Sequence, residues 1–252
     1  MPIIQALDRA MNILELFDEH TTELKITEIS ARMDLHKSTV HSLLRTLQLH
    51  GYIDQNQESG KYRLGLKLIE KGQLVLQGMD VRSVARKHLE ALSERTGQTT
   101  NLVILDGKEG VYIDKVEGAK AAIRYSRIGR RVPLHSSAVG KVLLAHMRQD
   151  KLEDLLRQYH FHVQTAQTIQ DQDTLLRELV QVREQGFAID NQENEAGVRC
   201  GAVPIRDHSN QVIAAMSLST MTSAIDDEQF QVYIAQLQQE GESVSQHLGF
   251  KR

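Results

Sequence analysis

The chain has 252 residues, 40% of them hydrophobic and 25% charged, which suits two compact domains and excludes a disordered chain. A net charge of -3 argues against a general polyanion binder, and a lone cysteine, Cys200, excludes an internal disulfide framework and suits a reducing compartment. No apolar run is long enough to cross a bilayer, and residues 1–7 lack a signal peptide's basic start and apolar core, so a cytoplasmic protein without a membrane partner is expected.

Ile4, Leu7, Met11, Leu14 and Phe17 recur at three- and four-residue spacing, which predicts a first helix with one buried stripe. Thr27 is placed as the N-cap of a short second helix over 28–33. Asp34, Leu35 and His36 break it, and a third helix opens at Lys37 or Ser38. Its inner face is Val40, Leu43, Leu44 and Leu47; its outer face is Lys37, Ser38, Thr39, His41, Ser42 and Arg45. Short helix, tight turn and a helix with a hydroxyl-rich, cationic outer face is the helix-turn-helix layout. Hydroxyls and helix N-terminal amides reach phosphates, while Arg, Lys, His and Ser can read base edges.

Residues 1–65 hold seven Lys/Arg against nine Asp/Glu, so the domain is not basic as a whole. From Leu35 to Ile53, however, there is no acid, and one basic helix surface is enough for specific docking on DNA. Two short strands, 52–54 and 61–64, flank a polar turn and form a wing, with Lys61 and Arg63 placed to touch backbone or minor groove. A three-helix interaction module with a solvated polar face has the same periodicity; the wing and the acid-free third helix favour DNA.

Residues 65–78 carry Leu66, Leu68, Ile69, Val75 and Leu76 with little polar cover, too apolar for a free linker. A helix packed against a second copy would pair two DNA-reading heads on half-sites related by two-fold symmetry. A helix packed only within its own chain remains the alternative. Beyond it, a helix over 81–96 precedes strands at 100–105, 110–116 and 122–126. Helices follow over 137–147, 152–158 and 174–185, then strands at 187–190, 198–205 and 212–220. A last helix is capped by Asp226 or Asp227, with Phe230, Ile234, Leu237, Gly241, Val244 and Leu248 as its stripe. This is an α+β pattern on an antiparallel sheet, with no phosphate loop, metal-spaced Cys/His cluster or cofactor motif.

Three features point to a small-ligand site. Residues 135–140 (His-Ser-Ser-Ala-Val-Gly) open a helix with small side chains, so backbone amides can approach an anion. Ser217 and Ser219 share one face of their strand by the period of two. Val198 and Cys200 share a face of a neighbouring strand, shortly after Asp190. Each has an ordinary structural reading: a serine helix cap, edge-strand serines, a buried thiol.

Over essentially its whole length the chain resembles the IclR family of bacterial transcription regulators. The residues carrying the likeness are Ala6-Leu7-Asp8-Arg9-Ala10 with Ile13-Leu14, then Gly51-Tyr52-Ile53 with Lys61-Tyr62-Arg63-Leu64. More specific are residues 134–141, Leu-His-Ser-Ser-Ala-Val-Gly-Lys, and Asp190 and Glu193 followed by residues 197–205, Gly-Val-Arg-Cys-Gly-Ala-Val-Pro-Ile. The resemblance implies a winged helix-turn-helix over 1–64, a linker and dimerisation helix over 65–80 and a GAF-like effector domain over 81–252. It also implies assembly as a homodimer or dimer of dimers, with double-stranded operator DNA and a small carboxylate, sugar acid or aromatic acid as partners.

By position in the family's motifs, the effector-binding residues are Ala121, Arg124, Ala138, Val139, Asp190, Val198, Cys200, Ser217 and Ser219, with no cofactor and no metal. The chain departs from the pattern twice. One carboxylate of an acidic pair is replaced in Gln192-Glu193, and Arg124 stands where an apolar residue is common. A guanidinium at 124 can grip a carboxylate bidentately. Within the family the chain is most similar to regulators of sugar-acid catabolism, a xylonate-responsive one among them. That implies a repressor of a carbohydrate or sugar-acid catabolic operon, released by its effector.

Two rival functions remain at this level. One is a ligand-sensing module acting through protein partners, which acids on the third helix would signal; none occurs there. The other is a hydrolase with Cys200 as nucleophile and His135 as base, which needs a lowered thiol pKa and an oriented imidazole.

Overall fold

The computed structural model describes residues 3–77, 80–120 and 125–251. The chain divides into two compact units, Met1–Gly78 and Met79–Arg252.

In the first unit, α1 (Gln5–Leu14), α2 (Ile26–Met33) and α3 (Lys37–Leu49) pack on a hairpin of β1 (Ile53–Gln55) and β2 (Tyr62–Leu64). The core is Ile13, Phe17, Leu24, Ile29, Val40, Leu44, Leu47, Ile53 and Tyr62. Leu24 exchanges both backbone bonds with Tyr62, at 2.9 and 2.8 Å, so the segment before α2 adds a third rung to the wing.

The stripe expected on α1 is corrected in part: Leu14 and Phe17 pack inward as expected, the other three do not. Ile4, Leu7 and Met11 are exposed at 71, 55 and 51%. Burial falls on Ile13 and Phe17, with Ala10 and Leu14 packed against them. Two apolar series interleave on this helix, and the buried one lies roughly a quarter turn from the expected one. The start of α2 also moves: Lys25, not Thr27, is the N-cap, its backbone amide donating to Glu28 Oε2 at 2.6 Å in the manner of a capping box. Asp34 closes α2 in the left-handed conformation, φ 50°, and forms the tight turn. The apolar run after the wing is helical, α4 (Lys67–Gln77), with Leu66, Ile69 and Leu74 exposed in the single chain.

The second unit is a six-stranded antiparallel sheet in the order β5-β4-β3-β8-β7-β6. Its strands are β3 (Thr99–Asp106), β4 (Glu109–Val116), β5 (Arg131–Pro133), β6 (Ala188–Asn191), β7 (Val198–Arg206) and β8 (Val212–Met221). Helices α5 (Asp80–Thr96) and α9 (Asp227–His247) cover one face; α6 (Ala138–Ala145) covers the other, backed by α8 (Gln172–Gln185), with α7 (Gln149–Leu156) packed in the same cluster. The α5 layer is pinned by arginine ion pairs and a histidine hydrogen bond. Asp114, fully buried on β4, takes Arg86 at 2.9 Å and Arg82 at 3.4 Å, and Glu240 of α9 takes Arg95 and His88 of α5 at 2.5 Å each.

The expected hairpin across Asp106-Gly107 is β3–β4. The strand expected over 122–126 lies largely outside the described residues, and its last two, Tyr125 and Ser126, are not in a strand. The edge strand is instead β5, three residues beside β4. Among the described residues no helix is long and apolar enough to cross a membrane, and no group of three or more His, Cys, Asp or Glu is placed to hold a metal ion.

Candidate DNA interface and effector site

On α3 the polar face comes out as a surface. Lys37, Ser38, His41, Ser42 and Arg45 are exposed and Thr39 is half-buried, while Val40, Leu44 and Leu47 face the core. His41, Arg45 and Gln48 line a groove shared with Gln55 and Tyr62 of the wing, so helix and hairpin present one continuous face. Gln48 was missed by the sequence reading. Its position, three residues beyond Arg45 and seven beyond His41, puts it on the same helical face, and its amide can pair with an adenine edge.

The wing residues differ from each other. Lys61 is half-buried and Arg63 is exposed, but Arg63 is engaged across the hairpin with Asp54 at 2.7 Å. That hydrogen bond raises the guanidinium's pKa and lowers that of Asp54, a fully exposed pair whose charges water screens.

In the second unit strand register assembles the other site. Residues paired directly across antiparallel strands put their side chains on the same face. The pairs Asp190↔Cys200, Cys200↔Ser219 and Ser219↔Thr99 make one row across four strands. The pairs Ala202↔Ser217, Ser217↔Asn101 and Asn101↔Lys115 make the next. Both rows lie on the α6 side, where Val198, Cys200 and Ala202 pack with Ala138 and Val139. The opposite face holds residues such as Leu102, Val203, Met216 and Leu218, all buried.

The structure therefore brings Ala138, Val139, Asp190, Val198, Cys200, Ser217 and Ser219 together, every one at most 4% exposed. Ala121 and Arg124 lie outside the described residues. Ser137 caps α6 by accepting from the Gly140 amide at 3.1 Å, leaving Ala138 and Val139 to present the first-turn amides, which have no partner within a helix. Gly140 is required where it stands: a Cβ there would come within 2.3 Å of the Leu134 Cα.

Hydrogen bonds run along the polar rows. Tyr125 Oη contacts Cys200 Sγ at 3.4 Å, Cys200 Sγ donates to Ser219 Oγ at 3.2 Å, and Asn101 Nδ2 donates to Ser219 and Ser217 Oγ at 3.5 and 3.4 Å. Asp190 Oδ1 accepts from the Glu193 and Asn194 amides at 2.7 and 3.3 Å. Burial nevertheless raises the Asp190 carboxyl to about 7, the two amides pulling it down and Glu193 adding to the rise.

Glu193, the carboxylate retained from the family's acidic pair, forms an ion pair at 2.7 Å with Lys141 of α6. Lys141 is 1% exposed and also reaches the Ile189 carbonyl at 2.9 Å and Glu178 at 3.2 Å. This lysine ties α6 to the strand and turn that carry Asp190. Asn101, Tyr125 and Lys141 were not singled out from sequence. The signal for Asn101 was there, a Thr-Thr-Asn run entering an apolar strand.

The geometry removes the hydrolase reading. Burial pushes the Cys200 thiol up to about 12, so it holds no thiolate. His135 bonds instead to Tyr159 Oη at 3.0 Å and the His162 carbonyl at 3.1 Å, a buried strut rather than a base beside Cys200.

A winged helix-turn-helix in one unit and a sheet bearing a buried polar site in the other define a transcription regulator that carries a sensor domain. The IclR helix-turn-helix family model matches residues 6–57, and the model of the bacterial transcriptional regulator IclR C-terminal domain matches residues 73–246. Among curated relatives, the HTH-type transcriptional regulator XynR of Escherichia coli (strain K12) is 56% identical over 250 residues, covering 99% of each chain.

Among solved structures, the Thermotoga maritima IclR aligns with TM-score 0.81 and 34% identity over 98% of this chain and 100% of its own. An IclR homologue from Microbacterium hydrocarbonoxydans complexed with 4-hydroxybenzoate aligns with TM-score 0.84 and 27% identity, covering 96% of this chain and 98% of its own. The chain belongs to the IclR family: it is a DNA-binding transcription regulator with an effector-binding C-terminal domain, not an enzyme.

Proposed function

We propose that the chain is a repressor of a carbohydrate or sugar-acid catabolic operon, released from its operator by a small carboxylate effector and acting in the cytoplasm. Residues 1–64 dock on double-stranded operator DNA through Lys37, Ser38, Thr39, His41, Ser42 and Arg45, with Lys61 and Arg63 on the flanking backbone. Residues 65–80 join two copies, and dimers or dimers of dimers match paired half-sites. The exposed Leu66, Ile69 and Leu74 support that role, since three large apolar side chains left in solvent along one short segment favour burial against a partner.

Residues 81–252 bind the effector. Its carboxylate faces the Ala138 and Val139 amides and Arg124, and its polar groups face Asp190, Cys200, Ser217 and Ser219, with Ala121 and Val198 as apolar lining. The observation that carries this reading is the row Asp190–Cys200–Ser219 beside the N-terminus of α6. A buried row of thiol, hydroxyl and titrating carboxyl groups serves a polar ligand better than a core. The relative complexed with 4-hydroxybenzoate supports a small carboxylate as the ligand class.

Fluorescence anisotropy on DNA from upstream of the chain's own and neighbouring genes, with salt titration and a panel of aldonic, uronic and 2-keto acids, tests it. The expected result is tight, sequence-dependent binding that one acid weakens. Binding no better than on random DNA, under every ligand, would overturn the reading.

A further inference from the structure

Asn101 is the one carboxamide on the two polar rows. Its side chain is fully buried. Its Nδ2 reaches Ser217 and Ser219 at 3.4 and 3.5 Å, long for hydrogen bonds, and its Oδ1 is buried with no hydrogen-bond partner among the described residues. Turning the amide over does not help. The oxygen would then accept from the two hydroxyls and the NH2 would be the group left over. In either orientation half of a buried amide has no partner among the described residues, which calls for an explanation; a few other buried groups share that state, and Asn101 is set apart by its place on the two polar rows.

The neighbours say what would satisfy it. Tyr125 Oη, Cys200 Sγ, Ser219 Oγ, Asn101 and Ser217 Oγ form one run of small donor and acceptor groups on a single sheet face. A ligand hydroxyl can donate to Asn101 Oδ1 while accepting from Ser217, and the next hydroxyl along a carbon chain can do the same with Ser219. A flat aromatic acid offers no such ladder and would leave the amide oxygen without water or partner.

We infer that Asn101 is a specificity-determining residue of the effector site, hydrogen-bonding a hydroxyl of a polyhydroxylated carboxylate and so discriminating it from acids that lack hydroxyls. The inference rests on the effector-site reading above and names the ligand class that the site selects. A site built to hydrogen-bond a hydroxyl rejects the analogue without one, because its own polar groups are then left unpaired.

The test measures release of the full chain from operator DNA by anisotropy. The probes are five- and six-carbon aldonic acids, each beside the unsubstituted carboxylic acid of equal length, and 4-hydroxybenzoate. The wild type should prefer an aldonic acid over its unsubstituted counterpart by more than about tenfold. Asn101→Ala should reduce that ratio to about threefold or less, and Asn101→Ser, which restores a small hydrogen-bonding group, should recover part of it. Operator affinity without ligand is measured for each variant, and release by every acid is expressed relative to that variant's own ligand-free complex.

A tie between β3 and β8 alone would lower thermal stability in both variants and leave the ligand ratio at the wild-type value; that result overturns the inference. Equal wild-type response to hydroxylated and unsubstituted acids overturns it too, while leaving the effector site standing. A wild type that responds to no acid removes the effector reading itself.

Discussion

Asp190 is the residue whose chemistry the fold alters most usefully. Buried among Glu193, Cys200 and Lys141, its carboxyl moves from an ordinary value of 3.8 to about 7, with burial the leading cause. The sign of the linkage follows. The folded state holds this proton more tightly than the unfolded chain, so the group adds stability below its ordinary pKa and loses it as pH climbs through about 4 to 7. Asp190→Asn keeps the oxygen that accepts from the Glu193 and Asn194 amides but cannot ionise. Relative to wild type, the variant's urea midpoint should rise between pH 4 and pH 7 and then run level to pH 8. A difference flat across that range would show that folding does not raise the Asp190 pKa.

Lys141 makes a second prediction at the same scale. A lysine at 1% exposure survives because Glu193, Glu178 and the Ile189 carbonyl surround its ammonium. Lys141→Met leaves Glu193 buried without its cation, which costs about 3–5 kcal/mol for a pair of this kind. Adding Glu193→Gln removes the stranded charge and should recover much of that loss in a denaturation curve. Two losses that simply add would mean the residues act independently. Nothing in the hydrophobic pattern points to this network, because a lysine in an apolar helix reads as a surface residue until its partners are known.

At the scale of elements, legibility followed the physics of each face. The outside of α3 was readable because a solvent-facing surface shows directly in residue type. Its polar positions 37, 38, 41, 42 and 45 carry no acid, and all are exposed. The inside of α1 was half-read, because Leu14 and Phe17 can be continued toward the N-terminus by Ile4, Leu7 and Met11 or by Ala10 and Ile13, and only packing chooses the second. The sensor sheet was readable as strands but not as rows, since pattern alone does not set register. Ser217 and Ser219 were found by the period of two along one strand; the polar run marks Asn101, but its place beside the two serines needed the pairing of β3 with β8.

The α3 surface makes a separable prediction. Arg45 lies at the centre of the face shared with the wing, whereas Lys37 sits at the helix N-terminus, where phosphates bind. Arg45→Ala should cost about 1–3 kcal/mol on the operator and relax preference at one base-pair position. Lys37→Ala should weaken operator and random DNA alike and reduce the slope of log affinity against log salt by about one. If both variants behaved as the second, α3 would contact only the backbone and base reading would belong to another element.

For the whole molecule the question is how a ligand of the effector-binding domain changes what the DNA-binding unit grips. Each unit has its own core, so neither needs the other's ligand in order to fold. Communication must then be a shift between arrangements of the intact chain that both ligands weigh differently. Thermodynamics makes such coupling reciprocal. If the effector lowers operator affinity by some factor, operator DNA lowers effector affinity by the same factor, typically about 5- to 150-fold, or 1–3 kcal/mol.

Calorimetric titration of the effector into free protein and into protein saturated with operator measures one side of this cycle. Anisotropy with and without effector measures the other. Matching factors are expected, and they should shrink together in a variant such as Lys141→Met if α6 carries the signal. Unequal factors at equilibrium would mean that a third process, such as a change in assembly, is linked to one ligand. The protein concentration dependence of the mismatch would then identify it.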